Sequence, residues 1–462
     1  MPILTSGQQA TSLNPATGET LQSYPFASAE QLEQALQRVD RGFQQWRGTA
    51  LDARVAVLQA LARVLRDQAE DFARMAANEM GKPIVQGRAE IEKCAQLCEW
   101  YAAHGPQMLE PEKTLVENDQ AYIAYRPLGP VLAVMPWNFP VWQVLRGAVP
   151  IILAGNAYVL KHAPNVMGCA YLMQQAWAQA GLPDGVFEVI NVDNQGVSTA
   201  IADPRIASVA VTGSVGAGSA IAAQAGAALK KCVLELGGSD PFIVLADADL
   251  DEAVQAATVG RFQNTGQICI AAKRIIVEAS VAAAFEEKFV AAVQALVVGD
   301  PLDEATYIGP MARFDLRDEL HGQVQATLGE GARLLLGGEP MARAGNYYAP
   351  TILADVTADM TSFKQELFGP VASLIVARDA AHAITLANDS DFGLAGSIWS
   401  RDIPRAEQLA AQVHTGGMFI NRYSASDPRV PIGGVKKSGF GRELSHFGVR
   451  EFCNAQTVWV NR

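Results

Sequence analysis

From Val131 onward short apolar runs alternate with helical stretches, and this rhythm limits the folds open to the chain more than any other feature. VLAVM (131–135), AYVLK (157–161), FEVIN (187–191) and SVAVT (208–212) have the length and composition of strands. GCAYLMQQAWAQAG and GSAIAAQAGAALKK, helical in character, lie between or after them. A repeated βαβ order implies a parallel sheet with helices on both faces, because a parallel return needs a long crossover. After Leu234 the rhythm restarts with DPFIVL (240–245), a helix, and RIIVE (274–278). Val281, Phe285, Phe289, Ala292 and Leu296 then mark one face of a further helix. A second α/β unit is therefore expected from about Glu235. Two units also suit a chain of 462 residues, which is too long for one ordinary core.

Before that rhythm the chain is mainly helical, with Val55, Leu58, Leu61 and Leu65 forming one apolar stripe. Two segments fit neither core: EPEKTLVENDQAYIAYRP (110–127) and CNAQTVWVN (453–461). Both alternate as strands do, and exposed strand edges often serve subunit pairing.

Hydrophobic residues at 49% and charged residues at 18% describe a folded soluble protein. A net charge of −12 argues against a nucleic-acid-binding surface, which needs a basic face. The opening MPILTSGQQATSLNPATGE has no basic and apolar leader pattern. The uncharged stretch from Pro127 to Leu145 is broken by Pro127, Pro130, Pro136 and Pro140, which a membrane span does not readily tolerate. A cytoplasmic protein without membrane contact is expected. Six cysteines in so long a chain make no disulfide framework. Cys94 and Cys98 share a helix face without a third ligand, since His104 is not placed to complete a zinc site; they read as small core residues, and no metal is expected.

Several motifs carry possible chemistry. SVAVT runs into GSVGAG (213–218), a glycine-rich turn before a helix, suited to a pyrophosphate or to a plain tight turn. In MPWNFPVWQVLRGAVP (135–150) two prolines fence Asn138, which holds its amide in a defined direction, either as an oxyanion donor or as a turn cap. Glu235 in CVLELGGSDP ends a strand before two glycines. Cys269 in FQNTGQICIAAKR (262–274) lies between two isoleucines.

PWNFP, the VTGS turn, LELGG, NTGQIC, ELFGPV and IGGVKKSGFGRE occur in that order, after an opening NPATGE (14–19). Together they resemble the aldehyde dehydrogenase superfamily over nearly the whole chain, and most closely its succinate-semialdehyde dehydrogenase branch. The resemblance implies a Rossmann-type cofactor domain (1–109 and 128–234), an α/β catalytic domain (235–445) and a small β oligomerisation element (110–127 and 446–462). It also implies a homodimer or homotetramer.

By the same resemblance Cys269 is the catalytic thiol, Asn138 with the Cys269 backbone N–H holds the oxyanion, and Glu235 activates water to hydrolyse the thioester. A free thiol is only about 3% ionised at pH 7, so Cys269 needs assistance. Lys161 and Glu366 would bind the riboses of NAD or NADP, and Thr212, Gly213 and Ser214 the pyrophosphate turn. Trp137 would lie along the cofactor, and Phe368 on the nicotinamide side. Pro164 stands where NAD-preferring relatives usually carry a glutamate, so NADP stays open beside a slight lean to NAD. Ala271 replaces the second cysteine of redox-regulated members. Arg146 would meet the distal carboxylate of a small aldehyde substrate, or else form a structural ion pair, and Ser426 would add a lesser contact. The branch's second arginine is replaced by Gln263. The expected reaction is oxidation of succinate semialdehyde or a close ω-oxo acid; the alternative is a broad-specificity enzyme for uncharged aldehydes.

Overall fold

A computed structural model describes residues 9–117 and 120–461. Residues 1–8, 118, 119 and 462, which fall within the expected terminal and 110–127 segments, lie outside it.

The first large sheet has the strand order Gly439–Phe440, Lys231–Glu235, Ser208–Thr212, Val131–Val134, Tyr158–Lys161, Phe187–Val189. Neighbours are parallel except at the Gly439–Phe440 edge. Ser208–Thr212 is its apolar run unchanged, and Val131–Val134, Tyr158–Lys161 and Phe187–Val189 are theirs trimmed by a residue or two at one end. Ser208–Thr212 is buried along its whole length, as a parallel strand covered on both faces must be. Val131–Val134, the first of the parallel strands in the chain, sits between Tyr158–Lys161 and Ser208–Thr212. The connections diverge on either side of it, and such a switch point opens a crevice at the carboxyl ends of the strands.

The second sheet runs Arg333–Leu336, Thr351–Ala354, Val371–Ala377, Ala272–Glu278, Asp240–Val244, Ala395–Trp399, Gly417–Ile420. It is parallel apart from its first strand. Although Gly439–Phe440 follows the second sheet in the chain, it completes the edge of the first, pairing with Leu234 and Glu235. Gly439 is needed there, because a Cβ at its φ of +111° would lie 2.1 Å from the Leu234 carbonyl oxygen.

Leu58, Leu61 and Leu65 of the early stripe bury fully, while Val55 packs at the margin. They share a core with Cys94 and Cys98, which are free thiols, and with the helix Trp142–Leu153. Each large side chain buried this way contributes about 1.5–3 kcal/mol. That helix begins against Glu90, whose Oε1 accepts hydrogen bonds from the Val141 and Trp142 backbone N–H groups at 2.9 and 2.8 Å. The other carboxylate oxygen of Glu90 meets buried Lys82. The start of the Trp142–Leu153 helix is thereby anchored to Ile84–Met108.

The two unattached segments find each other. Cys453–Trp459 pairs antiparallel with Ala121–Pro127 over seven residues, and Glu112–Lys113 adds a third strand. No helix among the described residues is long and apolar enough to cross a membrane.

Candidate active site

Asn138, Lys161, Thr212 and Glu235 all lie at or just beyond the carboxyl ends of strands in the first sheet. Cys269, Glu366 and Phe368 precede strands of the second sheet, Ala272–Glu278 and Val371–Ala377. The link between sheets is short, from Glu235 through Gly237 and Gly238 to the strand Asp240–Val244. A Cβ on Gly238 would lie 2.8 Å from the Cys269 carbonyl oxygen, and one on Gly237 2.2 Å from Glu366 Oε2. A side chain at Gly238 would press on that backbone carbonyl, and one at Gly237 would displace the Glu366 carboxylate.

The turn before Cys269 has an uncommon backbone. Asn264, Thr265 and Gly266 are consecutively left-handed, with φ of 52°, 56° and 70°. A β-branched threonine resists this conformation, so the surroundings must hold it. The Gln86 side chain accepts the Asn264 N–H at 2.7 Å, and Asn264 Nδ2 donates to the Asn138 carbonyl at 2.8 Å. Thr265 Oγ1 donates to Gly309 O at 3.2 Å, and Gln267 Oε1 accepts from the Ala312 N–H at 3.0 Å. Buried Arg261 donates to the carbonyls of Gly266, Leu367 and Val371 at 3.1, 2.9 and 2.6 Å.

Asn138 joins this turn directly, because its Nδ2 donates to Gln267 O at 2.9 Å. One amide hydrogen is thereby committed two residues before Cys269. The proline-fenced corner is further held by His162, whose Nε2 donates to the Pro140 carbonyl at 2.9 Å while its Nδ1 accepts from the Ala163 N–H at 3.0 Å. Burial lowers the His162 pKa to about 4, so the ring is neutral there.

Burial raises the Cys269 thiol to about 11, against the lowering fields of Arg146 and Lys273, with Glu235 and Asp240 adding to the rise. Burial likewise pushes Glu235 up to about 8, opposed by Arg146 and reinforced by Glu443. One Glu235 carboxyl oxygen has no protein hydrogen-bond partner. A buried carboxyl group with a pKa near neutrality and a free oxygen is equipped to exchange protons.

Arg146 is fully buried and forms an ion pair with Glu443, while its Nη2 donates to Thr212 Oγ1 at 3.4 Å. Burial works most strongly against its charge, but Glu443, Glu235 and Cys269 together outweigh it and raise its pKa. Of the two arrangements open in the sequence for Arg146, the ion pair is therefore formed in this structure. Ser426 accepts a hydrogen bond from Lys93 at 2.9 Å.

The expected cofactor residues gather on the same side. Ser214 caps the helix Val215–Ala227, its Oγ accepting from the Ala217 N–H at 3.3 Å. A Cβ on Gly213 or Gly216 would meet nothing within 4 Å, so the turn backbone is open to a bulky anion. Lys161 has no protein hydrogen-bond or ion-pair partner among the described residues, and burial lowers it to about 8. Trp137 and Phe368 pack edge to face at 5.7 Å. Glu366 accepts from Lys273 Nζ at 2.8 Å and from the Gly238 N–H at 3.2 Å. An unpartnered cation, an open glycine turn at a helix start and a pair of aromatic rings fit a dinucleotide.

Sequence reasoning passed over Lys273, which lies within the quoted NTGQICIAAKR. Its ammonium donates to Cys269 O, Gly238 O and Glu366 Oε1 at 2.7, 2.6 and 2.8 Å. It thereby joins nucleophile loop, inter-sheet link and cofactor carboxylate at one point. Glu443, Arg261 and His162 were also missed, since their partners lie far away in the chain and no local spacing points to them.

A family model for the aldehyde dehydrogenase family matches residues 4–458. The chain is 63% identical over 459 residues to a succinate semialdehyde dehydrogenase [NAD(P)+] of Escherichia coli, covering 99% of each chain. It is 44% identical to a probable succinate-semialdehyde dehydrogenase [NADP(+)] of Synechocystis, covering 97% of this chain and 99% of the relative. Among solved structures, the succinic semialdehyde dehydrogenase of Streptococcus pyogenes in complex with NADP+ superposes with a TM-score of 0.96 at 34% identity. That alignment covers 98% of this chain and 100% of the other. The chain belongs to the aldehyde dehydrogenase family.

Proposed function

We propose that this protein oxidises succinate semialdehyde, or a close ω-oxo acid, to the carboxylic acid with NAD or NADP. The observation that carries the reading is the Asn138–Gln267 hydrogen bond, which ties the amide of the first sheet to the loop bearing Cys269. Full-length similarity to relatives named for that reaction supports the substrate class.

Cys269 Sγ adds to the aldehyde carbon, and its proton passes to Glu235, the titrating carboxyl group that shares its field. The carbonyl oxygen takes the electron pair as an oxyanion, held by Asn138 Nδ2 and the Cys269 backbone N–H. NAD or NADP, when bound, accepts the hydride. Glu235 then releases that proton to solvent, water attacks the thioester left on Cys269 as the ionised Glu235 takes its proton, and Glu235 returns this proton to the departing sulfur as the acid leaves. Arg146 holds the field at Cys269 and Glu235, lowering the pKa of both.

Lys161, Glu366, Trp137, Phe368 and the Thr212-Gly213-Ser214 turn are assigned to the dinucleotide. Pro164, at the start of a 3-10 turn after the Lys161 strand, offers no carboxylate to repel a 2′-phosphate. Use of both cofactors follows. We assign residues 1–109 and 128–234 to cofactor binding and 235–445 to catalysis. Residues 110–127 and 446–462 are assigned to a homodimer or homotetramer contact, and the protein to the cytoplasm.

The Arg146–Glu443 pair favours a second reading, in which no arginine is left for a substrate carboxylate and uncharged aldehydes are accepted broadly. Comparing kcat/KM for succinate semialdehyde and butanal separates the two. Preference for the charged substrate is expected, and preference for butanal would overturn the first reading.

A further inference from the structure

Glu79, near the end of the helix Ala69–Met80, is a buried carboxyl group with no part in the chemistry above. It forms no ion pair among the described residues, and buried Lys82, three residues on, is taken by Glu90. Three groups surround it. The Gly168 and Cys169 N–H groups donate to its Oε1 and Oε2 at 2.8 and 3.0 Å, and Ser12 Oγ lies 2.6 Å from Oε1. Gly168 makes this approach possible, since a Cβ there would lie 2.8 Å from Glu79 Oε1 and 2.6 Å from Met75 Sδ.

Ser12, fully buried in the strand Gln9–Leu13, also lies 3.0 Å from the Asn165 carbonyl oxygen. A hydroxyl has one hydrogen and serves only one of these two oxygens well. Both contacts are satisfied at once when Glu79 keeps its proton: Glu79 Oε1–H donates to Ser12 Oγ, and Ser12 Oγ–H donates to Asn165 O. Burial favours that neutral form, raising the Glu79 pKa against the hydrogen bonds of Ser12, Cys169 and Gly168. The other titratable groups that face it, Tyr24 and Cys169, bring no positive charge.

Asn165 belongs to the 3-10 turn Pro164–Val166, between the strand ending in Lys161 and the helix Met167–Gln179. Neither turn nor helix has a capping side chain of its own. Glu79 meets the free N–H groups from outside, and Ser12 meets the carbonyl. Val166 and Cys169 also share a small core with Trp137, which sets the turn beside a residue assigned to the dinucleotide. We propose that Glu79 and Ser12 are positioning residues for the cofactor: a hydrogen-bond chain from the Glu79 carboxyl through the Ser12 hydroxyl to the Asn165 carbonyl fixes the turn on which Pro164 meets the adenosine end of NAD or NADP. This rests on the assignment of Lys161, Pro164 and Trp137 to that cofactor.

Calorimetry tests it through Kd for NADP and for adenosine 2′,5′-bisphosphate, its adenosine half, in the wild type, Ser12→Ala, Glu79→Gln and Glu79→Met. A wild type that binds neither would overturn the cofactor reading and this proposal with it. Given binding, Ser12→Ala and Glu79→Met are expected to raise both constants about 3- to 10-fold, as loss of one hydrogen bond would. KM for NADP should rise in step, with a far smaller change in kcat. Glu79→Gln keeps an N–H for Ser12 and a carbonyl for Cys169, and should retain most of the affinity. Infrared difference spectra at neutral pH should show the carbonyl band of a protonated carboxyl group in the wild type that Glu79→Gln lacks. Lower thermal stability with unchanged constants would make the two residues merely structural and overturn the proposal, as would absence of that band. If the Glu79 variants fold poorly, Ser12→Ala decides by the same constants.

Discussion

Cys269 and Glu235 illustrate how burial sets the chemistry of single residues. The thiol at about 11 is protonated at neutral pH, while the carboxyl at about 8 titrates close to it. Only the ionised form of Glu235 removes a proton from water. The hydrolytic step should therefore accelerate as pH rises from 6 and level off above about 8, a limb that pH profiles of kcat would reveal. Glu235→Gln should abolish that limb, leaving a single, slowed burst of NADH or NADPH and a steady-state rate lower by about 100-fold or more. Unchanged turnover in that variant would mean that another group activates water. Asn138→Ala removes a donor aimed at the developing oxyanion, and should lower kcat about 100- to 1,000-fold with a smaller effect on KM. Pro164→Glu introduces a negative charge beside the Lys161 strand, and should lower kcat/KM for NADP about tenfold relative to NAD.

Elements were legible in the sequence where periodicity and burial agree. SVAVT forms a strand over its exact span, and the Val131, Tyr158 and Asp240 strands begin within a residue of their apolar runs. The turn at 264–266 was not legible, because neither asparagine nor threonine announces a left-handed run of three residues. Gln86, Asn138 and Gly309 hold it from distant parts of the chain, so tertiary hydrogen bonds override local preference. The Arg146–Glu443 pair was hidden for the same reason: Glu443 arrives on the closing IGGVKKSGFGRE segment, beside the strand Gly439–Phe440. Gly266→Ala should expose the demand on this turn. Its Cβ would lie 2.2 Å from the Gly369 carbonyl oxygen at a φ of +70°, so lower thermal stability and a loss of at least about tenfold in kcat are expected.

Across the whole molecule, the carboxyl ends of one sheet face the site together with the loops that enter the other. The three-stranded element stands apart, built from segments far separated in the chain. Its outer strand Cys453–Trp459 is largely exposed, and Trp459 is 64% exposed in the single chain. Such an edge invites a second copy. Light scattering should report a dimer or tetramer, and Trp459→Glu should shift it toward smaller species; a monomeric wild type would remove the assignment of 110–127 and 446–462.

The left-handed turn leading to Cys269 also bears on when the protein becomes reactive. Its anchors come from the Ile84–Met108 helix, from the Asn138 corner and from residues near 310, all of which must be docked before the sulfur is aimed. A half-assembled chain thus carries an unaimed thiol, and aldehyde chemistry switches on only with the final architecture. Recovery of enzyme activity during refolding should accordingly lag the return of helical signal and coincide with the last tertiary step.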